Sequence, residues 1–147
     1  MKKRLLFCSM VGVLTACQQE GDVQPASTTL ASEVVGIYRT NFYLDPSSVA
    51  ISANQMSYAE LKVQSDSTVT LVYTKLYPAK ISRSFENVGL RRQSNGVQLR
   101  IADSGIGTLQ TDRIFTDNGM EKQGKLLRIT IQDDPQSLLN FAGIKQQ

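Results

Sequence analysis

The sequence contains no histidine, so neither a Cys/His zinc set nor a Ser–His or Cys–His nucleophile pair can be assembled from its side chains. Catalysis would fall to paired carboxylates, as in glycoside hydrolysis, or to a lysine base. Several acidic residues sit where turns use them: Asp103 beside Ser104-Gly105, Asp117 beside Asn118-Gly119, and Asp133-Asp134 before Pro135. Glu60 and Asp112 remain as candidates, and nothing in their spacing brings them together. No serine is followed three residues later by lysine, the spacing of a Ser–Lys acylase. Asp117-Asn118-Gly119 with Glu121 lacks the alternating oxygen ligands of a calcium loop, and Gly105-Ile106-Gly107 lacks the third glycine of a dinucleotide turn. The expectation is a non-catalytic protein without metal or cofactor. A His-independent hydrolase using carboxylates is the enzymatic alternative.

Binding chemistry has more to draw on. Arg83 alternates with Ile81 and Phe85, and Arg92 with Val88 and Leu90. If those faces point inward, either guanidinium could clamp a carboxylate or phosphate in two-pronged fashion; a rim arginine with its stem on apolar surface is the plainer alternative. Tyr38 heads a set of aromatics, with Phe42, Tyr43, Tyr58, Tyr73, Tyr77, Phe85, Phe115 and Phe141, that could line an apolar pocket. Core packing and cross-strand pairing account for most of them.

Those side chains must be positioned by whatever survives export. Lys2, Lys3 and Arg4 precede an apolar run over residues 5–14, far shorter than the roughly 20 residues a helix needs to cross hydrocarbon. That is the form of a secretory signal. The run ends at Leu14-Thr15-Ala16-Cys17, which resembles the lipobox of bacterial lipoproteins at all four positions. The resemblance implies diacylglycerol on the Cys17 sulfur, cleavage between Ala16 and Cys17, and acylation of the new amino terminus. Two or more acyl chains would hold the protein to a bilayer stably. Gln18, where an Asp would retain a lipoprotein in the inner membrane, implies the outer membrane. Glu20 and Asp22 loosely resemble surface-export signals, so the side of the membrane stays open.

Removing residues 1–16 changes the chemical inventory. Three of the 16 basic residues go with the leader, thirteen remain against 13 acidic ones, and the mature side chains carry no net charge. The basic isoelectric point is therefore a property of the precursor, and nucleic acid is not an expected partner. Cys8 lies in the leader and Cys17 carries lipid, so no disulfide can form within the mature chain.

Residues 17–33 are polar and small, with a Gly and a Pro, and read as a lipidated cysteine followed by a flexible tether. Residues 34–147 read as one domain. Residues 34–44 suit one strand bent at Gly36, and Asp45-Pro46 opens a loop or one or two helical turns. Strands are expected over 58–64, 68–75, 79–87, 88–92, 97–101, 106–115 and 125–132. Asn95-Gly96 is the clearest hairpin signal, because both residues tolerate positive φ. The last segment, 137–145, suits a closing strand better than a short helix. Short strands at regular spacing predict an all-β fold, a small antiparallel meander barrel of about eight strands, with a β-sandwich as the alternative. Gly36-Ile37-Tyr38 near the first strand resembles the Gly-X-Trp signature of lipocalins with Tyr for Trp, which implies a lipocalin-like barrel from about Val34 onward. The combined expectation is an envelope lipoprotein, held to the membrane at Cys17, that binds a small hydrophobic molecule or an envelope protein. A structural or assembly accessory of the envelope is the alternative.

Overall fold

The computed structural model describes residues 28–134 and 137–146. The signal segment, the cleavage site at Ala16, Cys17 and the tether through residue 27 lie outside the described residues. Eight strands follow one another: β1 Gly36–Arg39, β2 Tyr58–Val63, β3 Thr68–Lys75, β4 Ile81–Gln93, β5 Gly96–Ile101, β6 Ser104–Phe115, β7 Glu121–Asp134 and β8 Ser137–Lys145. Each pairs antiparallel with the next, and β8 returns to β1, closing the barrel. This is the expected all-β meander barrel, and closure through β1 and β8 sets the sandwich aside. The alternation in the sequence is its cause: Leu61 of β2, Leu71 of β3, Val88 of β4, Leu99 of β5, Leu109 of β6 and Leu127 of β7 meet in one buried core.

Two expected strands, 79–87 and 88–92, are a single 13-residue β4. A register shift against Val69 and Leu71 falls beside Asn87, whose φ is 54°. Gln64 holds that bulge, its Oε1 accepting from the Asn87 amide at 2.9 Å and its Nε2 donating to Asn87 Oδ1 at 3.0 Å. The inserted residue resets the alternation, so Ile81, Arg83 and Phe85, and then Val88, Leu90 and Arg92, all lie on the inward face.

The Asn95-Gly96 hairpin forms by another route than positive φ. Ser94 and Asn95 make the turn and Gly96 pairs with Gln93 as the first residue of β5. Glycine stands there because a Cβ would run into the Leu109 carbonyl oxygen, and Gly107 is held in the same way by the Arg128 carbonyl.

At its start the chain departs from expectation. Residues 30–33, expected as tether, belong to a short helix, α1 (Leu30–Val34), with Thr29 as its N-cap accepting from the Ser32 amide at 3.2 Å. Ala31 and Val34 are fully buried in the barrel core; burying Val34 alone is worth about 1.5–3 kcal/mol. β1 is only four residues long, not the eleven-residue run of 34–44. Asn41 ends it: its Oδ1 accepts from the Tyr43 and Leu44 amides and its carbonyl from the Leu44 and Asp45 amides, a turn of its own making. Asp45 then caps a 3-10 turn over Pro46–Ser48, as its sequence foretells.

The loop 40–57 that follows is pinned to a distant hairpin. Asn41 Nδ2 donates to the Phe115 carbonyl at 2.8 Å, and the Tyr43 ring stacks 5.3 Å from that of Phe115. Ile114 and Leu126, both facing outward by alternation, are nevertheless buried; Ile114 lies against Gly124, and Leu126 pairs with Ile144 of β8.

Candidate functional site

Strand lengths decide where the barrel is open. β1 and β2 contribute four and six residues, whereas β4, β6 and β7 contribute 13, 12 and 14. The short strands share the end that holds α1, so this end is complete and the opposite end lacks part of its wall. Loop 40–57 borders the gap.

At the α1 end the side chains interlock. Tyr38 is fully buried, and its hydroxyl donates to the Val34 carbonyl. Burial, and then the negative charge of Glu33, push the Tyr38 phenol far above its ordinary range, so it stays a donor. Glu33 gathers three cations: Arg92 at 2.6 Å, Lys125 at 3.5 Å, and Lys145, whose Nζ donates to the Glu33 carbonyl at 3.0 Å. The bond from Arg92 leads in holding the Glu33 carboxyl below its usual range. Burial, and then the neighbouring Lys125, lower Lys145. Among the described residues, these side chains plug the barrel interior at this end.

The opposite end is a mouth. Its larger cleft, about 570 Å³, runs from the 3-10 turns of loop 40–57 to Tyr73, Ile81, Arg83, Leu138 and Leu139. A second, about 340 Å³, cuts through the wall beside β8, between Leu44 and Asp45 of the loop and Asn140, Phe141 and Ala142 of the strand. The Tyr73 and Phe141 rings meet edge to face at 5.6 Å and form the floor between the clefts and the sealed core. Tyr77, Ile81 and Leu138 stand about half exposed at the rim. Thr40 borders both clefts; its hydroxyl is buried and has no hydrogen-bond partner among the described residues.

The residues singled out in the sequence fall at opposite ends. Arg83 is at the mouth, half-buried, with its guanidinium 5.3 Å from the Phe85 ring and its Nη1 3.5 Å from Ser137 Oγ. Arg92 faces inward as expected, but at the sealed end, where it is committed to Glu33. Tyr38 belongs to the plug and lines neither cleft. Of these three only Arg83 reaches the open site, where Tyr73, Tyr77 and Phe141 of the aromatic set also line the clefts.

The carboxylate pair is not assembled. Glu60 lies on β2 with Lys62 at 3.3 Å, and Asp112 on β6 with Arg128 at 3.2 Å, four strands away around the barrel. The Arg113 amide, ahead of Arg128, holds Asp112 below its usual range. Asp117-Asn118-Gly119 forms a turn organised by the Thr116 hydroxyl, which bonds Asn118 and the Met120 backbone. β7 runs on through Asp134.

Sequence reasoning missed Thr40, Ser57 and the edge of β8. Their signal was Asn41 in the middle of an otherwise β-branched and aromatic run, since an Asx turn there stops β1 early and leaves β8 without a neighbour. Compared with family models, with curated proteins and with solved structures, the chain matches none.

Proposed function

We propose that the mature protein is a non-catalytic, lipid-anchored module of the cell envelope that holds a small hydrophobic molecule in the barrel mouth. The observation that carries this reading is the mouth itself. A cleft of about 570 Å³ reaches Tyr73, Ile81 and Leu139 above the buried core, and ligand pockets typically measure about 300–1,000 Å³. Arg83 and Thr40 stand among further polar residues of the cleft, including Asp45, Ser47, Gln55 and Lys75, beside the apolar Tyr73, Ile81 and Leu139. The tetrad Leu14-Thr15-Ala16-Cys17 supports the anchor.

Titration of the mature domain with a neutral apolar fluorophore tests the pocket. Saturable enhancement is expected; Ile81→Glu at the rim should weaken it about tenfold, as charge enters an apolar contact. Val63→Glu, at an equally exposed position of the sealed end, should leave it unchanged. No saturable signal, or equal loss in the two variants, would overturn the reading. For the anchor, Cys17→Ser should abolish fatty-acid labelling, and persistent labelling would refute it.

A further inference from the structure

The ladder between β1 and β8 stops at Arg39↔Ile144, yet β8 extends seven residues further, to Ser137. The Gln146 amide bonds the Ile37 carbonyl at 2.8 Å, which fixes the even-numbered residues of β8 as those whose backbone groups face β1. By alternation, the N–H and C=O groups of Leu138, Asn140 and Ala142 point into the slot where β1 would have continued. Among the described residues, no backbone partner meets them there. A strand edge in this condition is a template for another strand.

We propose that this edge binds an extended peptide by strand addition, a function separate from holding a small molecule and not dependent on it. The peptide would run antiparallel to β8, in the direction of β1, and take up the free groups of Leu138, Asn140 and Ala142. Its inward side chains, every second residue, would be apolar, because Tyr73 and Phe141 floor the slot. The Thr40 hydroxyl, buried without a partner among the described residues, lies where β1 breaks off and is placed to bond the peptide backbone. Direction fixes charge: an antiparallel occupant ends its C-terminal side at the mouth, where Lys75 has no carboxylate partner among the described residues. The chosen occupant is thus a single strand with alternating apolar residues and an acidic C-terminal end. A second copy of the barrel fits less well, because loop 40–57 flanks the slot and leaves a cleft of only about 340 Å³.

The test uses the mature domain and a fluorescently labelled hexapeptide of alternating threonine and valine ending in glutamate. Because the main chain carries recognition, this generic sequence should bind saturably by anisotropy. N-methylation of the alternate residues facing β8 should weaken binding about tenfold, and N-methylation of the other set should change it less than about twofold. Ala142→Pro removes one free donor while sparing the ladder to β7, and should also weaken binding about tenfold with the melting temperature unchanged. Should that variant lose stability, the two N-methylated peptides on unaltered protein decide the matter alone. Absence of binding, indifference to which set is methylated, or a concentration-dependent dimer in ultracentrifugation would each overturn the proposal. The fluorophore titration responds to Ile81→Glu independently, so failure at the edge and failure of the pocket are distinguishable.

Discussion

At the α1 end the barrel interior is filled to the rim, with Val34, Tyr38, Leu61 and Val69 fully buried and Glu33 drawing Arg92, Lys125 and Lys145 around the helix. At the mouth the same eight strands leave Tyr73 half-buried, Ile81 and Leu138 exposed, and the Thr40 hydroxyl without a hydrogen-bond partner among the described residues. The difference originates in two early features of the chain. Thr29 starts a helix that enters the barrel, and Asn41 ends β1 before the wall is complete. Close packing around α1 therefore marks one end and open clefts the other, the division expected when a binding region is drawn from the least packed part of a fold.

The contrast can be broken most directly by truncating one aromatic at each end. Tyr38→Ala should cost about 3–5 kcal/mol, because it empties a fully enclosed site and unpairs the Val34 carbonyl. Tyr73→Ala, at a half-buried site, should cost about 1–2 kcal/mol, with probe binding lost. Urea midpoints of the two variants measure the gap. Equal losses would mean that the mouth is as much a part of the stability core as the plug.

A smaller effect separates the loop from the barrel. Asn41 is buried and makes three side-chain hydrogen bonds, to the Phe115 carbonyl and from the Tyr43 and Leu44 amides. Asn41→Ala should cost about 1–2 kcal/mol. Its hydrogen-exchange signature should be local, with amides of loop 40–57 exchanging faster and those of β3, β5 and β7 near the plug retaining their protection. Faster exchange at both ends would show that the two ends are coupled through β1.

The fold was legible because its periodicity is regular: Ala59 with Leu61, Val97 with Leu99, and Leu127 with Ile129 and Ile131 each declare an inward face, and turn residues separate the runs. Long-range contacts were not legible. Gln64 completing the bulge at Asn87 joins residues 23 apart, and no local signal distinguishes one bulged strand from two strands. The Leu30–Val34 helix has only a Thr cap and two small or β-branched core residues, too little for a periodic pattern in five residues. The placement of Arg83 and Arg92 was half legible, since parity put both on the inward face while only the strand lengths show that they lie at opposite ends. Asn41 is the most instructive failure. Flanking residues of high β propensity favoured a continued strand, and the side-chain turn prevailed.

The smallest predicted effect concerns the charge cluster over the plug. Glu33→Gln should cost no more than about 1 kcal/mol near neutrality, because both Glu33 and Arg92 keep contact with solvent and exposed pairs are worth little. Its pH dependence is the sharper observable. The folded state holds the Glu33 carboxyl below its ordinary value of 4.5, chiefly through Arg92, so the unfolded chain takes up this proton first as the solution is acidified. The stabilisation is present above pH 4.5 and disappears as pH falls through the lower folded value. Denaturation midpoints of the parent and Glu33→Gln should differ at pH 7 and converge toward pH 3, with the difference at neutral pH shrinking in added salt. A gap that persists at pH 3 would assign the role of Glu33 to packing against the plug, and the sealed end would then owe its stability to the core alone.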